Sequence, residues 1–403
     1  MMTPDHAWGV ILRHLRPLSI KCRALDKALG CCLAEDVRAD RDFPPADRSA
    51  MDGYAVRSLD VAGGPCVLRL VGEVAAGSAA RPRVGPGTCA RILTGGNLPP
   101  GADSVVMVEA TEEQSGRVKI LSPPARGANI LRRGEDARNA AILLRAGAVL
   151  RSPEIGVCAM VGKGKVRVHG RPRIALICTG AELRAPGARV GPHEIRNTNG
   201  PALSASLAEW GFGCVSHPIV PDRVDRLAAA IRQASRACDV VLLTGGMSVG
   251  KYDVAREAIE RVGATVRFHG VAMKPGKPFL FATMPGGRLV FGMPGTPLGA
   301  LTGFHEFVLP AVRRLSGMGR SECRPLLRLP LALPLASKGG RIRLILGRVR
   351  WEAAGPQVEG VDSHSSSDLA SAARADGVLI IPAEVREMKA GHIIAFRPWR
   401  PLP

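Results

Sequence analysis

The spacing of apolar residues changes along the chain, and each regime predicts a different kind of domain. From Trp8 to about Leu33, apolar residues recur at helical intervals in pieces, with an interruption at Pro17. Between 47 and 144 they form short strand-like runs, such as "CVLRLVGEV" and "SVVMVEA", separated by Gly and Pro. A small all-β domain is therefore expected in that stretch, followed by a short helix over Pro153–Val161.

From residue 171 onward, strands and helices alternate. The runs "RIALICTG" and "DVVLLTGG" are typical of buried strands. Helices are expected over Pro201–Gly211, Asp222–Ala237 with Asp222 as its cap, Asp253–Val262 and Leu298–Leu315. This alternation predicts a parallel, three-layer α/β domain over about 171–318. A last β-rich piece covers 324–403.

Length and composition indicate a globular protein of several domains. The 403 residues exceed what one core serves, and 46% hydrophobic with 22% charged residues is a usual balance. The ten cysteines show no C-x-x-C spacing, so reduced thiols are expected. Because the chain has neither an apolar leader nor a run of about eighteen apolar residues, we expect a cytoplasmic location and no membrane segment.

The charge balance favours an anionic partner. With 55 basic and 35 acidic residues the formal charge is +20, which suits nucleic acid, acidic lipid or a phosphate-bearing small molecule. The densest basic run, Arg324–Arg350, carries seven Arg or Lys and no acid. Aromatic residues for base stacking are nearly absent there, so we interpret it as a solvated strand face. Nucleic-acid binding then rests on charge alone.

Candidate chemistry lies in the loops that follow the strands of the α/β domain, where such sheets bind ligands. In "TGGMSVGKYD", amides and hydroxyls gather before a helix, a pattern that can hold phosphate or can be only a tight turn. The residues concerned are Thr244, Gly245, Gly246, Ser248 and Gly250. In "MKPGKP", Lys274 and Lys277 stand on a rigid turn that suits an oxyanion; otherwise they are solvated surface lysines.

Four acidic residues also stand near glycines or turns, and they are Asp52, Asp136, Glu182 and Asp253. Carboxylates from several loops suit a Mg²⁺ ion between phosphates, although each alone is more often a cap or a surface charge. The histidines are scattered, so no hydrolytic triad can be assembled.

Seven ordered motifs give the chain a family resemblance. They are "SAMDGYAV", "RILTGGNLPPGADSVVMVE", "RRGED", "TGAEL", "LLTGGMSVGKYD", "KPGKPFLF" and "FGMPGTP". In this order they resemble the molybdopterin molybdenumtransferases, the MoeA family that includes the gephyrin E domain. The resemblance runs from about residue 8 to 397.

The resemblance implies an α/β plus β fold of four parts in a homodimer. These would be a linking and dimerisation domain (1–46 and 137–170), a small β-rich domain (47–136), a three-layer α/β molybdopterin-binding domain (171–318) and a β-barrel-like C-terminal domain (324–403). The implied reaction takes adenylylated molybdopterin and molybdate, releases AMP and leaves molybdenum on the dithiolene. A client molybdoenzyme would receive the cofactor.

The resemblance also assigns roles to residues of this chain. Asp52, Asp136, Glu182 and Asp253 would surround Mg²⁺ and the pyrophosphate, with Asp52, Glu182 and Asp253 as metal ligands. Thr94 lies in the matching "RILTG" loop. The residues Thr244, Gly245, Gly246, Ser248 and Gly250 would hold a phosphate of the nucleotide or pterin. The molybdate position would be formed by Lys274, Lys277 and Pro278, and Ser371 matches a serine of the C-terminal motif.

Four positions depart from the family pattern. Arg48, immediately before the first motif, replaces an Asn, Ala181 replaces an Asp, Thr296 replaces an Asn, and Leu346 stands where an anion-binding Arg is expected. Two hypotheses therefore stand beside nucleic-acid binding. One is an active transferase with an altered site, and the other is a paralogue that carries pterin or finished cofactor without catalysis. Molybdate and tungstate are not separable from residue identities.

Overall fold

The N-terminal region starts with one short helix. The computed structural model describes residues 1–247, 253–400 and 402. The helix Pro4–Arg13 begins where the Thr3 hydroxyl accepts a hydrogen bond from the His6 amide. The helical reading of the following stretch is wrong, because Ile20–Ala24 is a strand. It pairs antiparallel with Lys165–His169, which buries Val166 and Val168 and offers its polar face outward.

The linking region joins residues from both ends of the N-terminal half. Val37–Arg38 pairs with Ile142–Leu144, and the helix Ser152–Met160 packs against them. Their shared core contains Leu33, Leu150 and Cys158. The limits of this region, like those of the other three parts, stay predictions.

The small β-rich region is built on one six-stranded sheet with a buried centre of Tyr54, Val106 and Val118. In sheet order its strands are Ser104–Met107, Gly53–Val56, Thr88–Ile92, Cys66–Val74, Arg117–Ile120 and Thr111–Gln114. A further two-residue pair, Arg48–Ser49 with Ile130–Leu131, lies beside it. The short helix Ser58–Val61 begins where Asp103 accepts from the Ser58 amide.

The α/β domain has a six-stranded sheet covered on both faces. Its strands in order are Cys214–Ser216, Ile174–Cys178, Val240–Thr244, Arg288–Met293, Leu280–Met284 and Thr265–His269. Side chains alternate between two cores, since Ile174 and Leu176 face one and Ala175 and Ile177 face the other. This confirms the three-layer prediction.

The prediction of a fully parallel sheet is wrong. The first four strands in that order pair parallel, whereas Leu280–Met284 pairs antiparallel with both of its neighbours. The cause is the short turn Pro285–Gly287 between Leu280–Met284 and Arg288–Met293. A connection of that length closes a hairpin, because a parallel pair needs a crossover of a dozen residues or more.

The helices of this domain match the expectations with two corrections. They are Asn199–Glu209, Val224–Ala237, Val254–Arg261, Pro297–Gly303 and Leu309–Leu315. Asp222 does not cap the second of these, because its helix starts at Val224 with no side-chain cap. The single helix expected over Leu298–Leu315 is interrupted by a π-helical turn, Phe304–Val308.

The interruption has a local cause. Pro310 has no amide hydrogen to donate to the carbonyl of Glu306 four residues earlier. That carbonyl instead accepts from Arg324 Nε at 3.2 Å. The π-turn therefore frees one backbone group for a contact with the segment that leads into the C-terminal domain.

The C-terminal domain is a curled sheet that closes into a barrel-like shape. Its longer strands are Leu327–Pro330, Ile393–Pro398, Gly377–Ile381, Ile342–Glu352 and Gly355–Gly360. An isolated bridge between Leu331 and Val358 joins the two ends, and Phe396 and Leu379 fill the interior. Shorter elements are the strand pair Leu335–Ala336 with Glu387–Met388 and the helix Leu369–Ala372.

Two contacts fix this domain on the α/β domain. Met273–Lys274 pairs parallel with the start of the Ile342–Glu352 strand. The Glu306 carboxylate, 1% exposed, accepts from Arg324 at 2.7 Å and from Arg397 at 2.5 Å. The reading of Arg324–Arg350 as a solvated face is thus wrong for Arg324, because its guanidinium is buried in this cluster.

Two further expectations concern cysteines and membranes. All ten cysteines are free thiols. None of the helices within the described ranges combines the length and the apolar character needed to cross a bilayer.

Candidate functional site

The largest candidate site is a groove beyond the carboxyl ends of the parallel strands. It encloses about 1050 Å³ and is lined by the segments that follow Ile174–Cys178, Val240–Thr244 and Arg288–Met293. A smaller cavity of about 360 Å³ adjoins it, because Met247, Gly295 and Thr296 line both. The location is the one predicted for a doubly wound sheet.

A buried polar network forms the floor of the groove. The Asn199 amide donates to Thr244 Oγ1 at 2.7 Å and to the carbonyl of Gly295 at 2.8 Å. Thr244 in turn donates its hydroxyl to the Pro294 carbonyl at 3.0 Å. The hydroxyl of Thr244 is therefore engaged within the protein. Sequence reasoning missed Asn199, whose signal was an amide side chain at the start of a helix.

The glycines after this strand are required by close approach of the backbone. Gly245 has φ +95°, and a Cβ built there would lie 2.0 Å from the carbonyl oxygen of Thr179. Any side chain at 245 would push the two strand ends apart. Gly246 also lines the groove, with φ +65°. The predicted phosphate-binding residues Ser248 and Gly250 lie outside the described residues.

Three carboxylates line the large cavity, Glu182, Asp222 and Glu194, and Glu194 is paired with Arg184. Glu182 does so as expected, and its carboxylate lies over Gly180, where an added Cβ would stand 2.8 Å from Oε1. Asp222 was not anticipated as a site residue. It accepts a hydrogen bond from Thr179 Oγ1 at 2.6 Å, which leaves its second oxygen free of protein donors within the described residues. The sequence analysis interpreted Asp222 as a helix cap and so did not include it among the candidate site residues.

Asp253 uses both carboxylate oxygens inside the protein. Oδ1 accepts from the Arg256 amide at 3.0 Å and so caps the helix Val254–Arg261. Oδ2 lies 3.2 Å from Nδ1 of His269. Burial holds the pKa of His269 below its usual value despite this carboxylate.

The small cavity is cationic. Lys274, Lys277 and Pro278 line it, as the sequence predicted, and Arg341 and Ser366 join them from the C-terminal domain. No acidic residue is among the described residues that line it. Parallel pairing of Met273 with Ile342 sets Arg341 beside this turn. Three cations and the hydroxyls of Ser366 and Thr296 are groups that can hold an oxyanion, and the oxyanion itself stays a prediction.

Three of the four positions that depart from the family pattern differ in whether they line this groove. Thr296 lines both cavities. Leu346 is packed in the core between the two domains, and Ala181 is exposed and does not line the cavity. Leu346 has no guanidinium with which to bind an anion, and Arg341 supplies one to the small cavity. Sequence reasoning missed it because the basic run around it offered no feature to distinguish one arginine from the next.

The hydroxyl of Ser371 is engaged in hydrogen bonds away from the groove. Its hydroxyl donates to Asp368 at 2.8 Å and accepts from Arg374 at 3.1 Å. The serines that line the groove are Ser366 in the small cavity and Ser367 in the large one. The Ser366 carbonyl accepts from the Leu298 amide at 3.0 Å, which fixes this loop on the α/β domain.

The remaining candidate residues belong to a separate place in the chain. Asp52 accepts two hydrogen bonds at 2.7 Å from Thr94, one from the amide and one from the hydroxyl, and these hold its pKa below the usual value. Thr94 lines a cavity of about 510 Å³ together with Asp136 and Arg48. No residue that lines this cavity also lines the groove.

The metal prediction can be tested for fit on these positions. Asp52 lies with Thr94, Glu182 lies in the groove, and both oxygens of Asp253 have donors. Among the described parts of the chain, no three His, Cys, Asp or Glu side chains are grouped as metal ligands. One chain by itself does not fit the predicted magnesium site.

Fold and site together define a multidomain protein whose α/β domain carries a partly cationic groove that a β domain completes. Comparison with known families divides the chain in the same sense. Residues 2–162 match "MoeA N-terminal region (domain I and II)", 175–314 match "Probable molybdopterin binding domain", and 328–399 match "MoeA C-terminal region (domain IV)".

Individual relatives agree. A molybdopterin molybdenumtransferase of Staphylococcus aureus is 33% identical over 376 residues, covering 92% of this chain and 89% of its own. One from Staphylococcus epidermidis is 32% identical over 375 residues, with the same coverage of both chains. The crystal structure of a molybdopterin biosynthesis MoeA protein from Pyrococcus horikoshii superposes with a TM-score of 0.83 at 28% identity, over 99% of this chain and 100% of its own. The chain belongs to the molybdopterin molybdenumtransferase (MoeA) family.

Proposed function

We propose that this protein inserts molybdenum from molybdate into adenylylated molybdopterin. The reaction cleaves the pyrophosphate linkage, releases AMP and leaves molybdenum on the dithiolene of the pterin. The observation that carries the proposal is the two-part groove. A cationic cavity suited to an oxyanion adjoins a larger cavity whose volume of about 1050 Å³ can hold a pterin phosphate.

Roles follow from position in the groove. Lys274, Lys277 and Arg341 would hold molybdate, with Pro278 and Ser366 beside it. The backbone of Gly245 and Gly246 would face the phosphates, whereas the engaged hydroxyl of Thr244 would hold the loop in place. Ser248, Gly250 and Ser371 would keep the roles that the family resemblance implies.

The carboxylates would act from the other cavity. Glu182 and Asp222 line the groove close to where the pyrophosphate would lie. Within one chain, Asp52, Thr94 and Asp136 lie apart from the groove. A homodimer would place these three residues of a second copy at the groove of the first. A Mg²⁺ ion would be held only in that dimer.

The surroundings of the reaction are proposed more broadly. Free thiols throughout the chain suit the cytoplasm, where the finished cofactor would pass to a client molybdoenzyme. No observation favours the carrier hypothesis over catalysis. Nucleic-acid binding has lost part of its basis, since Arg324 is buried with Glu306 and Arg350 pairs with Glu359.

The test is direct turnover. Purified protein is incubated with adenylylated molybdopterin, molybdate and Mg²⁺, and AMP release is measured together with activation of a cofactor-free molybdoenzyme. Both should occur. Pterin-nucleotide binding with AMP at background would instead support the carrier hypothesis.

A variant pair ties the activity to the cationic cavity. Arg341→Gln should raise KM for molybdate roughly tenfold, because one of three cations is removed from a partly solvated site. Arg348→Gln is the matched control, since it removes an exposed arginine further along the same strand. Equal KM values for the two variants would contradict the assignment.

A further inference from the structure

The stretch 20–169, called the arm from here on, is joined to the α/β domain by two crossing segments. The helix Pro4–Arg13 belongs to the other side of this junction, because Ala7 and Ile11 pack in the core of the α/β domain. The chain leaves that domain near Leu18 and returns to it after the strand Lys165–His169. Two single segments between two folded bodies have the form of a hinge, so side chains that bond across the junction decide the direction of the arm.

Leu18 and His169 form the pivot of this hinge. The Leu18 amide donates to the carbonyl of Leu315 at 2.8 Å, and its own carbonyl lies 3.1 Å from Nδ1 of His169. Gly317, with φ +95°, lies under the imidazole ring, where an added Cβ would stand 2.2 Å from Cδ2. These contacts hold the two crossing segments together at one point. A single point leaves the angle of the arm to contacts further from the pivot.

Arg171 bonds to the arm and to the α/β domain at once. Its Nη1 donates to the carbonyl of Gly211 at 2.7 Å, and its Nη2 donates to the carbonyl of Leu29, in the arm, at 2.8 Å. Gly30 leaves room for this contact, because an added Cβ there would stand 2.8 Å from Nη2. Within the described part of the chain, Arg171 is the one charged side chain that bonds across the junction.

The planar guanidinium suits a bridge between two backbones. Its nitrogens point in fixed directions, so bonding to both carbonyls fixes the separation of Leu29 and Gly211. Hydrogen bonds from a charged donor are also stronger than those between neutral groups. The Nε atom is buried without a hydrogen-bond partner among the described residues, a cost that the two bonds have to offset. A lysine would keep the charge without the rigid fork.

We propose that Arg171 is a positioning residue that sets the angle between the arm and the α/β domain. The inference rests on the proposed function. In the proposed homodimer, the arm of one copy carries Asp52, Thr94 and Asp136 to the groove of the other, so a change of angle moves all three together. A misplacement of about 1 Å at reacting groups costs about a hundredfold in rate. Arg171 does not line the groove and would act only through the arm.

The structural test is hydrogen–deuterium exchange of the full chain. In Arg171→Gln, the Leu18 amide should exchange roughly tenfold faster, because its bond to Leu315 crosses the loosened junction. The His169 amide should be unaffected, since it donates to the Cys32 carbonyl within the arm at 3.0 Å. Arg171→Lys should restore part of the protection of Leu18.

The kinetic test is AMP release from adenylylated molybdopterin by the same variants. Arg171→Gln should lower kcat roughly tenfold and leave KM for molybdate unchanged, because the residues that line the cationic cavity lie outside the arm. Arg171→Lys should recover part of kcat. Arg173→Gln is the matched control, since it removes an exposed arginine two positions away that pairs with Asp239 of the α/β domain.

Each result bears on a different step of the proposal. Exchange of the Leu18 amide that is unchanged in Arg171→Gln, or accelerated equally in Arg173→Gln, would overturn it. Equal acceleration at Leu18 and His169 would also overturn it, since the arm itself would then be unfolding. Faster exchange at Leu18 with unchanged kcat would refute the positioning role. A parent protein that releases no AMP would refute the proposed reaction and with it that role, while the exchange data would still report the bridge.

Discussion

Replacing Glu306 with Gln should weaken the attachment of the C-terminal domain more than any surface change. The carboxylate is 1% exposed, and the side chains of Arg324 and Arg397 are 10% and 6% exposed. The substitution would leave two buried guanidinium groups without their shared anion. Only Arg324 keeps a second acid, Asp5, at 2.8 Å. Removing one partner of such a buried cluster costs about 3–5 kcal/mol.

The assay is thermal unfolding combined with limited proteolysis. At about 2–4 °C per kcal/mol the transition of the affected part should fall by about 6–20 °C. Proteolysis should cut the segment before Leu327 earlier than in the parent protein. In a matched triple variant, apolar residues take the places of Glu306, Arg324 and Arg397. This variant should recover most of the loss. A loss below about 1 kcal/mol in Glu306→Gln would refute the reasoning, because that is the scale of exposed pairs.

Three further outcomes are expected. Gly245→Ala should abolish AMP release with the fold retained by circular dichroism, since its Cβ would stand 2.0 Å from a backbone oxygen. Asn199→Ala should lower the free energy of unfolding by about 1–3 kcal/mol, measured by denaturant titration, because Thr244 loses a buried donor. Thr94→Val should raise the pKa of Asp52, followed by NMR titration. The variant loses the hydroxyl bond but keeps the bond from the backbone amide of residue 94, so the pKa of Asp52 should stay below its ordinary value of 3.8 and above that of the parent. The stabilisation that the hydroxyl gives is present above pH 3.8 and is lost as pH falls through the lowered pKa, so acid should cost the parent more stability than the variant.

The sequence was informative where local pattern decides the structure. Continuous apolar runs located the strands Ile174–Cys178 and Val240–Thr244, and glycine after a strand predicted the tight turn at Gly245. Lys274 and Lys277 were predicted to stand on a rigid turn, and both line the small cavity, while their role toward an oxyanion stays a prediction. In each case the deciding contacts lie within a few positions along the chain.

Long-range pairing decided the rest. Nothing local separates Arg341, which lines the groove, from Arg324, which is buried against Glu306. Asp222 has the composition of a helix cap, and only the approach of the Thr179 strand end turns its carboxylate to the groove. The sequence shows Pro310, but it does not show which group donates to the Glu306 carbonyl that Pro310 leaves without a helical donor. The structure identifies that donor as Arg324.

The parallel pairing of Met273–Lys274 with the Ile342–Glu352 strand has a practical consequence for dissecting this protein. An excised fragment of about 171–318 would expose the edge of that short strand and would leave Lys274 and Lys277 without Arg341 and Ser366. Oxyanion titrations on such a fragment would then report a two-cation pocket open to solvent. Cutting the gene at the apparent domain junction would separate one binding site into two halves, and a split-protein complementation experiment could use oxyanion affinity as its signal of reassembly.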